Sequence, residues 1–92
     1  MILNVCAIYD DDSREYQTPM AFDNLVNAER TFKNMTEREG STLNKYLSSF
    51  SMILIGEYDT ETAKMKNCEK HVIISGRKMI ERKEKENEQG QK

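Results

Sequence analysis

The sequence predicts a small α+β domain, and three stretches predict it. Phe50–Ile55 is the densest apolar run in the chain and closes on Gly56-Glu57-Tyr58-Asp59, the composition of a strand entering a tight turn. Lys70–Ser75 is a second run of the same kind, most simply the antiparallel partner of the first. Ahead of both, Leu25, Ala28, Phe32 and Met35 recur at steps of three and four with Val26 beside them, the period of a helix with one apolar face. The expected architecture is a small antiparallel sheet of three to four strands packed by one main helix, plus a charged C-terminal helix.

Taken in order, Ile2–Tyr9 alternates Leu3, Val5, Ala7 and Tyr9 against Ile2, Asn4, Cys6 and Ile8, a strand with at least one buried side. Asp10-Asp11-Asp12-Ser13 breaks it, because these side chains bond to nearby backbone. Arg14–Thr18 returns as a short second strand, and Pro19, which has no N–H to give a ladder, should end pairing or lie on an edge. Asp23 is the expected N-cap of the first helix, Glu29 and Lys33 an outward i,i+4 pair, and Gly40 its C-terminal cap. Ser41–Ser49 reads as a connecting loop or one short helical turn. In the central run, Phe50, Met52 and Leu54 face one side and Ile53 and Ile55 the other. Both sides are apolar, so the strand should be interior to its sheet. Gly76 ends the last strand, and Arg77–Asn87 is helix-permissive with only Met79 and Ile80 as apolar anchors. Residues 1–76 are therefore one domain and 77–92 a charged helical extension, with a disordered end from Glu88 to Lys92.

At 92 residues the chain is a single domain. A domain of this size buries only about 60–65% of its unfolded surface, which leaves one thin core and no deep substrate cavity. Fourteen basic against sixteen acidic side chains give a net charge of −2, which excludes a histone-like mode of binding by bulk positive charge. The charge is uneven: residues 77–92 carry six basic and four acidic side chains, the remainder eight and twelve. Cys6 lies in an apolar strand pattern and Cys68 among lysines and a glutamate. Two cysteines without an export leader or an apolar run of about 18 residues point to reduced thiols in a cytosol, with no membrane span.

Little in the chain carries catalytic chemistry. His71 is the sole histidine, without a second ligand at zinc spacing. Cys68 and His71 at i,i+3 would point to opposite faces of a strand. Asp10–Asp12 are consecutive, so they do not converge as a calcium loop does. No glycine-rich phosphate loop exists. Neither an enzyme, a cofactor nor a metal is expected. Nucleic-acid binding has more to offer. Tyr9, Tyr16, Tyr46 and Tyr58 present faces on which bases stack, and Arg30, Lys33, Arg77, Lys78, Arg82 and Lys83 can reach phosphates. The bland alternative is packing for the tyrosines and a solvated face for the cations. The weakly anchored Met79/Ile80 helix is a surface on which a second copy could dock.

The motif Ile55-Gly56-Glu57-Tyr58-Asp59-Thr60-Glu61-Thr62 resembles the small nonstructural proteins of gokushovirus-type microviruses, which are single-stranded DNA bacteriophages. Other landmarks agree in order: a first strand ending in Tyr9-Asp10, then Pro19, then a helix carrying Ala28-x-Arg30-x-Phe32. The chain departs at Ala63, where members often have glycine, so the turn beyond it is expected to differ. The charged C-terminus looks particular to this sequence. The resemblance implies a nonstructural protein of viral DNA replication in the host bacterial cytoplasm, without catalytic residues. It singles out Arg30 as the one cation on a matched landmark, whose plain alternative is a surface salt bridge. Two readings follow. One is a small homo-oligomer that binds single-stranded DNA, or a replication complex on it, through Arg30, Lys33 and the Arg77–Lys83 helix. The other is a module that binds a host or viral protein, without nucleic acid, through the acidic turns at Asp10–Asp12 and Glu57–Glu61.

Overall fold

In the computed structural model, which describes the backbone of residues 1–90 and the side chains of residues 1–86, the strands are β1 (Ile2–Asp10), β2 (Glu15–Tyr16), β3 (Met20–Phe22), β4 (Phe50–Asp59) and β5 (Met65–Ser75). The helices are α1 (Leu25–Glu37), α2 (Thr42–Lys45) and α3 (Gly76–Gly90), with a single 3-10 turn at Leu47–Ser49 before β4. The class is α+β, as expected, but the antiparallel sheet has five strands instead of three to four. The order is β2-β1-β4-β5, and β3 pairs with β1 on the edge that it shares with β2. Pro19 interrupts that edge without ending it: pairing resumes one residue later, at Met20 opposite Cys6. The central run is interior, flanked by β1 and β5, as its two apolar faces require.

The core lies between one face of the sheet and the helices. Cys6 and Ile8 of β1 and Phe50 and Met52 of β4 meet Ala28 and Phe32 of α1 and Leu43 of α2, with Leu47, Leu54, Ile73 and Met79 closing the rim. Phe32, Ile8, Met52 and Cys6 are its largest fully buried side chains. Phe32 is the knob on which the helix turns; its truncation to alanine would cost about 3–5 kcal/mol.

Local chemistry sets the start of the helix one residue after, and its end two residues before, the expected caps. Asn24, not Asp23, caps α1: its side chain accepts from the Asn27 N–H at 2.8 Å, while Asp23 holds the Asn27 side-chain amide at 2.6 Å. The helix ends at Arg38 in extended backbone, and Gly40, at φ +80°, serves the turn beyond it. Ser41 then caps α2 through the Asn44 N–H at 3.1 Å, and Asn44 donates back to the Thr36 carbonyl at 2.8 Å. The segment 41–49 is thus a helical turn and a 3-10 turn in series, clamped onto the end of α1. For the end expected to be disordered, Gln91 and Lys92 lie outside the described residues, and α3 is described as backbone to Gly90.

The β4–β5 connection is tight. Asp59 accepts from the Glu61 N–H at 2.9 Å, and this bond holds its carboxyl below the usual range. Ala63, whose N–H donates to the Asp59 carbonyl at 2.8 Å, stands at φ +61°, in the left-handed region that disfavours a Cβ. Upstream, Gly56 is required by close approach, since a Cβ there would sit 2.5 Å from the Lys66 carbonyl oxygen of β5.

Two substitutions should therefore move stability in opposite directions. Ala63→Gly removes the left-handed strain and should raise the unfolding free energy by about 0.5–1 kcal/mol. Gly56→Ala forces β5 away from β4 and should lower it by about 1–3 kcal/mol. Urea unfolding followed by far-ultraviolet circular dichroism measures both, and equal midpoints for the two variants would contradict this account of the turn.

Candidate nucleic-acid interface

Two surfaces gather the residues that can contact a polyanion. The first is the cleft between α1 and α3. Its floor is Ile73, Ile74 and Met79, and its walls carry Lys33 from α1 and Lys78 and Arg82 from α3. Two contacts seat α3 there. The Ser75 hydroxyl accepts from the Lys78 N–H at 3.2 Å, and Gly76 lets the backbone press against the Leu47 carbonyl. Glu29 shares the cleft and pairs with Lys33 at 3.4 Å, as the i,i+4 spacing predicts. Both partners are about 40% exposed, so the pair contributes only a few tenths of a kcal/mol and yields readily to a phosphate.

An adjoining cleft adds Lys83 but also Glu37, Glu39 and Glu86, and its charge is balanced. Of the six predicted contact residues, Lys33, Lys78, Arg82 and Lys83 come together here. Arg30 and Arg77 are exposed and line neither cleft.

The second surface is the sheet face opposite the helices. Val5, Ala7 and Ile53 are buried on it, yet none belongs to the helix-covered core. Tyr9 of β1 lies opposite Tyr16 of β2, with ring centroids 4.7 Å apart at a 51° tilt. The Lys70 ammonium of β5 reaches across to sit 5.2 Å from the Tyr16 ring centre. Beside them is an open hollow of about 480 Å³, floored by Val5, Ile55 and Gly56 and bordered by Tyr16, Lys66 and Lys70.

The hollow exists because the ladders slip here. Between Val5 and Cys6, β4 inserts Ile55 as an extra residue. Between Leu54 and Gly56, β4 advances two residues while β5 advances four, from His71 to Asn67. Both irregularities meet at Ile55, where Cys68, Glu69 and Lys70 of β5 stand opposite that single residue of β4.

Charge separates the two halves of the chain. Residues 1–63 carry five basic and eleven acidic side chains, whereas 64–92 carry nine and five. The second set is β5, α3 and their flanks, so the basic excess lies on these two elements, with Glu69, Glu81, Glu84 and Glu86 interspersed. Sequence reasoning missed Lys66 and Lys70. Lys70 reads only as the start of the second strand and Lys66 lies in the polar segment before it, and their only signal is lysine at 64, 66 and 70 leading into an apolar run. That pattern marks a protected sheet edge more readily than a ligand site. Of the four tyrosines, Tyr9 and Tyr16 meet on the open face, Tyr58 is half-buried in β4, and Tyr46 is exposed at the junction after α2.

The remaining candidates stay apart. His71 is exposed on β5, and Cys6 and Cys68 are both free thiols. Asp10 and Asp12 engage their own surroundings: Asp10 accepts from the Asp12 N–H at 3.0 Å and Asp12 from the Ser49 hydroxyl at 3.0 Å. Among the described residues, no three histidine, cysteine, aspartate or glutamate side chains converge to hold a metal ion, and no helix is long and apolar enough to cross a membrane.

With this geometry in hand, comparison with known proteins identifies the chain as a bacteriophage protein. It belongs to the phage ORF5 protein family, whose model matches residues 3–80. That span takes in the whole sheet, α1 and the first turn of α3 with its Met79/Ile80 anchor. Arg30, Lys33, Arg77 and Lys78 fall inside it, and Arg82 and Lys83 outside. No curated protein and no solved structure matches the chain.

The two thiols should differ sharply. Burial, with a smaller contribution from Cys68, pushes the Cys6 thiol from 9.0 up to about 11. In the native protein at pH 8 a disulfide reagent should titrate Cys68 alone, and both thiols in urea. The unfolded thiol ionises near 9 and the folded one near 11. The contribution of Cys6 to stability is therefore full below pH 9 and declines as pH rises toward 11. Two fast-reacting thiols in the folded state would refute the burial of Cys6.

Proposed function

We propose that this phage protein acts in viral DNA replication as a non-catalytic binder of single-stranded DNA, working as a homo-oligomer in the host bacterial cytoplasm. The observation that carries the reading is the segregation of charge: residues 64–92, which are β5, α3 and their flanks, hold nine basic and five acidic side chains on a chain whose net charge is −2. Phosphates would follow the Lys33–Lys78–Arg82 cleft, with Lys83 in the adjoining one, and continue along the edge strand toward Lys70, while Arg30 and Arg77 would act only from outside the clefts. A polyanion needs no net positive protein, only a local cationic track that releases counterions. Pairing two such tracks in one oligomer would multiply a weak affinity. The resemblance of the Ile55–Thr62 motif to gokushovirus nonstructural proteins, and membership of a phage family, support the same reading.

The competing reading, a module that binds a host or viral replication protein through its acidic turns, gains less from the geometry. Asp10 pairs with Phe50 and Asp59 with Ile2, so the two acidic turns lie at opposite ends of the β1–β4 pair. At about 3.4 Å per residue they are roughly 27 Å apart and do not make one patch.

Fluorescence anisotropy of a labelled oligo-dT at about 50 mM salt should show micromolar binding that weakens steeply by 200 mM. A Lys78→Gln/Arg82→Gln double variant, both positions exposed on α3, should bind at least tenfold more weakly with unchanged circular dichroism. Flat anisotropy for the unmodified protein would overturn the proposal.

A further inference from the structure

We infer that the hollow on the open sheet face is a base-binding site, in which Tyr16 stacks on a nucleobase of single-stranded DNA while Lys70 moves from the ring to the adjoining phosphate. The inference deepens the proposed function and rests on it.

Four observations bear on it. The hollow, about 480 Å³, is ample for one base, and Val5, Ile55 and Gly56 give it an apolar floor. No carboxylate lines it, on a chain with sixteen, whereas the clefts beside α3 each hold at least one. Tyr16 is 41% exposed, so one part of its ring is free of protein contact. The cation already over that ring, Lys70 at 5.2 Å, shows that its face is open to a partner that prefers π-density.

The site is built, and not merely left uncovered. The double slip at Ile55 sets Cys68, Glu69 and Lys70 opposite one residue of β4, and Asn67, Cys68 and Lys70 join the lining there. A flat base fits an open hollow whose lining is apolar and cationic. Every base has a π-face, so the site would be tolerant of sequence. Its cations supply the charge complementarity to the phosphate that travels with the base. Asn67 at the rim has both a donor and an acceptor to offer a base edge.

The chain has no tryptophan and four tyrosines, so its emission is tyrosine's and the Tyr16→Leu variant isolates the part that comes from the site. Titration with unlabelled oligo-dT should quench that emission, and Tyr16→Leu should abolish most of the quenching and weaken binding about tenfold. Tyr16→Phe should keep the affinity within about twofold, which separates stacking from a role of the hydroxyl. Lys70→Gln should weaken binding and lower the salt dependence without removing the quenching by the base. If the unmodified protein binds oligo-dT but Tyr16→Leu, folded by circular dichroism, binds equally well, this site is wrong and the proposed function stands. If the unmodified protein does not bind, both fall. Binding of an acidic peptide at the hollow in competition with no oligonucleotide would likewise overturn it.

Discussion

The pairing of β1 with β4 is the constraint on which the other elements depend. Nine register pairs, from Ile2 opposite Asp59 to Asp10 opposite Phe50, align Cys6 with Leu54 and Ile8 with Met52 on one face. That alignment makes the apolar floor on which Phe32 and Ala28 of α1 come to rest. A slip of one residue would turn each of these side chains to the opposite face and leave α1 nothing to cover. Within the β1–β4 ladder the register gives way at the extra residue Ile55, beyond the helix-covered half of the strands, while the β4–β5 ladder shifts there and again between Met52 and Ile53. Packing is therefore kept under the helix while the sheet opens on its other side.

The two faces of the sheet consequently have different physical characters. The helix side excludes water around large aliphatic and aromatic groups, and even a thiol there is held far from ionisation. The opposite side buries only small or branched residues at its centre, Val5, Ala7 and Ile53, and rings them with tyrosine and lysine. A surface of that kind costs some stability, because half-exposed aromatic rings contribute less than buried ones. It is retained in a chain with little core to spare, which is the strongest structural reason to look for a ligand there. The cation–π contact of Lys70 with Tyr16, worth about 0.5–1 kcal/mol when exposed, is weak enough to give way to base stacking of about 1–3 kcal/mol.

Much of the fold was legible in advance. The strand at Phe50, the partner run ending at Ser75, the alternation of β1 and the period of α1 all come from patterns that local sequence imposes through burial. The pair Glu29–Lys33 came from spacing alone. Misreadings cluster where several residues compete for one role. Asp23 and Asn24 are equally good caps by composition, and the backbone path decided for Asn24. Pro19 was expected to end pairing or to lie on an edge, and it lies on one, in the gap between β2 and β3, both of which pair with β1. Ala63 shows the converse: its place in the motif marked a departure, and its φ of +61° gives that departure a physical cost.

By itself the amino-acid sequence determined the periodicities, the interior position of β4, the burial of Cys6 and the absence of a recognisable catalytic motif. These are properties of near neighbours in the chain, where a side chain's hydrophobicity and spacing suffice. The tertiary structure alone decided that Lys33 joins Lys78 and Arg82 while Arg30 and Arg77 do not. It also decided that Tyr16 from one edge of the sheet meets Lys70 from the other. Such meetings depend on register slips and sheet curvature accumulated over four strands, and no local pattern encodes a sum of that kind.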